Sequence, residues 1–418
     1  MGYLDFDKVI SMLCPQGVEF KEFSEICEYV RGVTYNKSQE AMPGDLNTKK
    51  VLRANNITLE TNELNFDDVK EISADVKIKP TQYLKKNDIL ICAGSGSKEH
   101  IGKVAYITKN MEYTFGGFMA VIRCSERIMS RFLFHVLTSN MFLEYLKKAL
   151  NTATINNLNA NVISHFLIPL PPLPVQQEIV RILDHFTALT AELTAELTAR
   201  RKQYEYYRDE LLTFGDDVAW KALEEEFPHI RNGFVGTVTS YFSDEEGGVR
   251  YLEGRDIHNG TISDEKATYV SKDFHRKHMK TCLKENDILV VQSGHVGECA
   301  VVSKKYEGAN CHALIVMSNG GNCLSKYVSY YLQSCNGRKQ MQSITTGGTV
   351  KHILASKIKK IMVPFPPIEE QARIVSILDR FDALCNDLSS GLPAEISARQ
   401  KQYEYYRDKL LTFKEIQS

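Results

Sequence analysis

RKQYEYYRDELLTF occupies Arg201–Phe214 and returns as QKQYEYYRDKLLTF at Gln400–Phe413, with twelve of fourteen positions identical 199 residues apart. An amphipathic helix repeats its apolar positions for packing, but here Lys, Gln, Glu, Arg and Asp recur as well. The match extends upstream. LIPLPPLPVQQEIVRILDHFTAL (167–189) aligns with MVPFPPIEEQARIVSILDRFDAL (362–384), and YLKKNDIL (83–90) with CLKENDIL (282–289). The chain is therefore one plan used twice: a body, a proline hinge, then a long helix. A period near 200 residues is too long for a solenoid and fits two domain-plus-helix units. The segments are 1–163, 164–217, 218–362 and 363–418. Identity is high in hinges and helices and low in bodies.

Each body mixes short apolar runs (DILICAG, FMAVIRC; DILVVQSG, ALIVM) with helical stretches at Arg131–Leu150 and Lys326–Ile344. This predicts an α/β (α+β) body with a small antiparallel or mixed sheet. Pro171, Pro172 and Pro174 end the first body, because proline fixes φ and lacks a donor. A helix of about 39 residues, ~58 Å, follows. Its apolar positions Ile182, Phe186, Leu189, Leu193, Leu197, Tyr204, Tyr207, Leu211 and Phe214 form a coiled-coil seam. The step from Leu193 to Leu197 is a stutter inside the tandem TAELTAEL (190–197). The second helix carries Ile377, Phe381, Leu384, Leu388, Leu392, Ile396, Tyr403, Tyr406, Leu410 and Phe413. It holds four more residues between matching ends, with Gly391 and Pro393 among them, so a break is expected there, with Ser390 ending one segment. The two helices are expected to pair antiparallel and to separate the two bodies.

Composition is that of a globular chain: 418 residues, 43% hydrophobic, 25% charged, net charge −1. The charge is unevenly placed. Residues 18–163 are net +2 and 218–362 net +4, while the hinge-and-helix segments are net −4 and −2. Any phosphate contact belongs to the bodies. There is no run of eighteen apolar residues and the N-terminal stretch is acidic, so a cytoplasmic chain with no membrane partner is expected. Ten cysteines without a C-x-x-C read as reduced, mostly buried thiols, and the twelve-residue recurrence of Cys299, Cys311, Cys323 and Cys335 as chance; no metal site is expected. G-x-x-x-x-G-K-[ST], G-x-G-x-x-G, H-E-x-x-H and G-x-S-x-G are all absent. LPPL and FPPI lack the Asn/Asp and aromatic of an amino-methyltransferase motif. No catalytic residue is found.

These doubled strings, LIPLPPLPVQQEIVRILD, TAELTAEL and RKQYEYYRDELLTF, resemble the specificity subunit of type I restriction–modification enzymes over nearly the whole chain. The resemblance implies two target-recognition domains that read a bipartite double-stranded DNA site. The helical regions would form an antiparallel coiled coil. It implies a non-catalytic subunit that serves two methyltransferase subunits, with restriction/translocase subunits joining. S-adenosylmethionine, ATP and Mg belong to those partners, and this subunit needs no cofactor. A non-DNA-binding coiled-coil scaffold or adaptor is the alternative, but a scaffold duplicated for symmetry keeps its bodies alike. A fused enzyme is a third class, disfavoured by the missing motifs.

Base readout needs Arg, Lys, Asn, Gln, Ser, Thr or His on loops that reach a groove. The glycine-bearing loops after each NDIL strand offer Ser95, Ser97, Lys98 and Lys103 in the first body, and Gln292, Ser293 and His295 in the second. A second pair of loops offers Thr154 and Asn156, with Thr349, Lys351 and His352. A third offers Arg53, Asn55 and Arg255. For pairing and partner docking the candidates are Leu189, Leu193, Leu197, Tyr204, Tyr207, Arg208, Leu211 and Phe214. Their second-helix counterparts are Leu384, Leu388, Tyr403, Tyr406, Arg407, Leu410 and Phe413.

Overall fold

The computed structural model describes residues 14–42, 45–59, 61–151, 157–215, 217–348, 351–387 and 389–416. Contacts divide the chain into two compact units. One runs through Glu192 and takes in the chain from Ser397 onward; the other is Leu193–Ile396. The division falls inside the long helix rather than at the proline hinges, so each unit is one body plus half of each helical region.

In the first unit, strands Cys27–Arg31, Met119–Cys124, Ile89–Cys92 and Val104–Tyr106 form an antiparallel sheet in that order. Ile89–Cys92 is buried on both faces, which is why its sequence is an unbroken apolar run. Alternation sends Ile89 and Ile91 into the cluster under the helices, and Leu90 and Cys92 into the cluster on the other face. A mixed sheet, Lys70–Ile72, Lys49–Leu52 and Tyr113–Phe115, packs beyond. Strand Glu19–Glu22 pairs with Leu167–Leu170 and closes the body at its hinge.

The second unit repeats the plan. His229–Asn232, Leu314–Ser318, Ile288–Val291 and Cys299–Val301 make the main sheet, and Trp220–Ala222 pairs with Met362–Pro364. It adds a hairpin, Ile257–His258 with Thr261–Ile262, turning over Asn259 and Gly260, both at positive φ. The expected helical stretches are each two helices, Ser130–Thr138 with Asn140–Asn151, and Ser325–Gln333 with Cys335–Ile344. Ser334 caps the last of these by accepting from Gly337 N at 3.2 Å. Cys299, Cys311 and Cys323 are core residues, and among the described residues no cluster could hold a metal ion.

The first long helix is Leu173–Leu211, 39 residues. The second is broken as expected, into Ile368–Asn386 and Leu392–Leu410. The break begins three residues before Ser390: Asp387 ends the first segment and accepts from Ser389 and Ser390, whose hydrogen bonds hold its carboxyl well below the usual range. In the second unit, Tyr207 stacks on Phe381 at 5.7 Å and Arg201 donates to Cys385 O at 3.5 Å, an antiparallel progression. In the first unit, Phe186 stacks on Tyr406 at 5.4 Å, while Lys414 O accepts from Val18 N beside the hinge. The seam residues Leu189, Leu193 and Leu197 are only half-buried; the deepest face of this helix is Val175, Ile179 and Leu183, packed on the body. Leu384 departs from the expected seam and is exposed; Ile374, Leu378 and Cys385 are buried in its stead. Leu388 lies outside the described residues.

Several of the fourteen repeated residues have an intramolecular explanation in each unit. Arg208 is buried, 5.5 Å above the Tyr204 ring, and bonds Asp209. Asp209 accepts from Cys335 N at 2.9 Å, at the start of the body's helix Cys335–Ile344. Arg407, Tyr403 and Asp408 repeat this, with Asp408 accepting from Asn140 N and Nδ2 at the start of Asn140–Asn151. A carboxylate at a helix N-terminus satisfies orphan donors and complements the dipole. Leu212 and Leu411 are buried beside their named neighbours Leu211 and Leu410. Arg208 and Arg407 are expected to face a partner subunit; the structure buries them instead, each guanidinium lying between a tyrosine ring and an aspartate of its own helix, while the aspartates reach the bodies.

One more doubled contact fixes helix to body. Asp184 takes Arg131 Nε at 2.8 Å and His135 Nε2 at 3.1 Å; Asp379 takes Lys326 Nζ at 2.9 Å and Tyr330 Oη at 2.6 Å. A carboxylate only accepts, so His135 carries its proton on Nε2 and accepts from Tyr403 Oη at Nδ1, 3.0 Å away. Burial holds the His135 pKa below its ordinary value, against the pull of Asp184. Folding therefore favours neutral imidazole. Stability is full above the unfolded pKa of about 6.5 and declines as pH falls through it. Hydrogen exchange in the first unit is expected to lose protection by up to about tenfold per pH unit below that point. His135→Gln should flatten this dependence, and a slope unchanged by the substitution would assign it to other groups.

Candidate nucleic-acid interface

Three loops converge at one edge of each body. Both start from the same turn. Asn87 and Asn286 sit at positive φ, while buried Asp88 and Asp287 accept from Lys85 N and Lys284 N, each at 2.9 Å. Arg123 further pins Asp88 through two bonds of 2.9 and 3.0 Å. This turn aims the strand at the loop that follows.

In the first body, Ala93 O accepts from Leu158 N at 2.7 Å and Gly94 bridges Asn157, which stitches the glycine loop to the second loop. Lys103 Nζ donates to Ile57 O at 2.6 Å, which stitches it to the third. In the second body, Gln292 O accepts from Ile353 N at 3.1 Å and Ser293 bridges His352, with Ser293 Oγ 2.7 Å from His352 Nδ1. Thr346 and His352 exchange backbone bonds of 2.9 and 2.7 Å. A Cβ on Gly254 would lie 3.6 Å from Ser293 O, so the third loop also abuts the first. The three loop pairs, separate in sequence, are one surface in each body.

The candidate side chains divide within it. His295, Lys351 and His352 are exposed, and Gln292, Ser293, Ser95 and Ser97 are half-buried. Ser97 N donates to Ser95 Oγ at 3.2 Å and Ser97 Oγ to Glu99 at 3.0 Å. Lys98 opens the short turn Lys98–His100. Thr154, Asn156 and Thr349 lie outside the described residues. Lys103 does not project: its ammonium is a strut under the third loop, and burial lowers its pKa. Arg53 and Asn55 both clasp Asp68 Oδ2, at 2.7 and 2.8 Å, and Arg255 is held by Glu253 and Thr268. These arginines brace their loop in this structure, because a nearby carboxylate engages each guanidinium. Sequence reasoning missed buried Asn56 and Asp256, which cap the third-loop turns by accepting from Arg53 N and Glu253 N at 2.8 Å. It also missed buried Gln176 and Gln371, which anchor the long helices. Their signal was present: one glutamine stands at the same place in both copies of the hinge.

The family described as "Type I restriction modification DNA specificity domain" matches residues 15–200 and 237–398. The chain belongs to this family. Among its relatives, the Escherichia coli "Type I restriction enzyme EcoR124I/EcoR124II specificity subunit" is 38% identical over 248 residues, 59% of this chain and 61% of that protein. The match thus spans less than two thirds of that relative. The Haemophilus influenzae "Putative type I restriction enzyme specificity subunit S.HindORF215P" is 31% identical over 359 residues, 79% of this chain and 84% of that protein. A chain solved in work titled "Structural basis underlying complex assembly and conformational transition of the type I R-M system" shares the fold. Its TM-score is 0.59 at 17% identity, covering 95% of this chain and 98% of that one. Among the described residues, no helix is long and apolar enough to cross a membrane.

Proposed function

We propose that this chain is the non-catalytic DNA sequence-specificity subunit of a type I restriction–modification complex. Each body reads one half of a bipartite double-stranded site, and the helices set the spacer between halves. The observation that carries this is a loop surface built on the same scaffold in both bodies but carrying different side chains, beside helices whose sequences match. Identical supports with different readers are what an asymmetric two-part site requires.

Two methyltransferase subunits dock on the doubled helices. With the buried Arg and half-buried Asp engaged within the chain, the recurring residues exposed in both copies include Lys202, Glu205 and Tyr206, with Lys401, Glu404 and Tyr405. S-adenosylmethionine serves the methyltransferase subunits, ATP and Mg the restriction/translocase subunits that join them. The test is co-expression with the cognate methyltransferase subunit and mapping of methylated adenines. An asymmetric bipartite motif is expected; a contiguous motif, or methylation by this chain alone, refutes the proposal. Within that motif, Lys98→Ala or Gln292→Ala is expected to weaken cognate binding by roughly tenfold, the cost of one polar base contact. Unchanged methylation at the cognate site would remove that loop from the interface.

A further inference from the structure

The turn Phe115–Phe118 contributes a side chain to the first body's loop surface that polar-residue reasoning passes over. Phe118 is 72% exposed, although it sits between the buried strand ends Phe115 and Met119. Among the described residues it joins none of the hydrophobic clusters of its unit. Its backbone, in contrast, is fixed. Phe118 O accepts from both Ala93 N and Gly94 N, at 2.8 and 3.0 Å, the two residues that begin the glycine loop. Arg31 Nη2 donates to Gly117 O at 2.6 Å and Nη1 to Asn157 Oδ1 at 3.3 Å, tying the same turn to the second loop. The turn lies so close to the neighbouring strand that a Cβ on Gly32 would stand 2.1 Å from Gly116 O. A large apolar ring thus projects from a fixed backbone among two of the three candidate reading loops.

The second body lacks it. There the matching turn is one residue shorter, and Ala313, at φ 51°, takes the place of Phe118, its carbonyl accepting from Gln292 N at 3.3 Å. The scaffold is the same and the payload differs.

We propose that Phe118 is a specificity-determining residue of the first body, making the apolar contact with the 5-methyl group of a thymine in that body's half-site. The methyl is the one apolar feature on the major-groove edge, and rigid apolar side chains recognise it. Pre-ordering of the turn by Arg31 and the glycine loop spares the entropy of fixing its backbone on binding. This inference rests on the function proposed above.

The experiment uses the full chain with its methyltransferase subunits and duplexes carrying the mapped motif, each thymine replaced in turn by uracil to remove only the methyl. The wild-type complex is expected to lose about fourfold in affinity at one thymine of one half-site, the effect of one methyl removed from water. Phe118→Ala is expected to bind roughly tenfold more weakly and to be indifferent to that same replacement. Phe118→Leu, still apolar, should retain most of the sensitivity, and melting of each variant should match wild type because the ring is exposed. The proposal is overturned by a wild-type complex indifferent to every replacement, by a motif without thymine, or by a Phe118→Ala complex with wild-type affinity. Where the wild type binds its motif selectively, those results defeat this inference alone; a wild type without sequence selectivity defeats the functional reading as well.

Discussion

Deletion of Thr194–Leu197 is expected to shorten the spacer between the two halves of the methylated motif by about two base pairs. The four residues are one of two tandem TAEL copies and lie wholly within the 39-residue helix. Four residues of helix rise ~6 Å, and base pairs stack at ~3.4 Å. Four residues exceed a turn by only ~40°, so the faces beyond the deletion keep nearly the same bearing. The sequence at the site also suits removal. Thr194, Ala195 and Glu196 are exposed, whereas Leu193 and Leu197 are half-buried and one would survive as the other's replacement. Inserting a third TAEL should lengthen the spacer by the same amount. Sequencing of methylated adenines in cells carrying each variant with the cognate methyltransferase reads the outcome directly. A spacer that stays constant across deletion and insertion would show that the helix does not measure distance.

The helices, their antiparallel sense within each unit and the break in the second were legible because prolines, glycine and heptads act locally. Pro393 opens a helix whose neighbour Gly391 could not carry a Cβ, which would lie 2.5 Å from Ala383 O. The exact stop was not legible, because Asp387 ends the helix through bonds to two serines that no periodicity records. The loop surface was legible as three pairs of polar segments. That they form one surface depends on bridges such as Gly94 to Asn157 and Ser293 to His352, over 63 and 59 residues of sequence. Which side chains are free was not legible: Lys103, Arg53 and Arg255 are spent on carbonyls, carboxylates and hydroxyls that folding brings to them. The same blindness makes the repeated Arg208 and Arg407 look like partner contacts, although both are buried. The aspartates beside them bind the helix starts at Asn140 and Cys335, which lie far away in sequence.

Gln176→Leu is expected to cost about 3 kcal/mol and to lower Tm by roughly 6–12 °C. Gln176 is fully buried at the start of the long helix, and its amide is used at both ends. Oε1 accepts from Met129 N at 2.8 Å, while Nε2 donates to Arg127 O at 3.1 Å and Pro171 O at 2.8 Å. Leucine fills the volume but strands one donor and two acceptors, and each unsatisfied buried group costs about 1–3 kcal/mol. Gln371 repeats the arrangement with two bonds, from Leu324 N at 3.0 Å and to Pro366 O at 2.8 Å, so Gln371→Leu should cost less. Glutamate at either place restores the acceptor alone and adds a buried charge, so it should be worse than leucine. Melting of the four variants tests this ordering, and equal melting of wild type and Gln176→Leu would end the case for an anchor. The consequence for recognition differs in kind from that of the TAEL deletion. A shortened helix moves the spacer to a new single value. A helix whose anchor to its body is loosened keeps the mean and admits neighbouring lengths, so the methylated motifs of Gln176→Leu should show a broadened spacer distribution centred on that of the wild type.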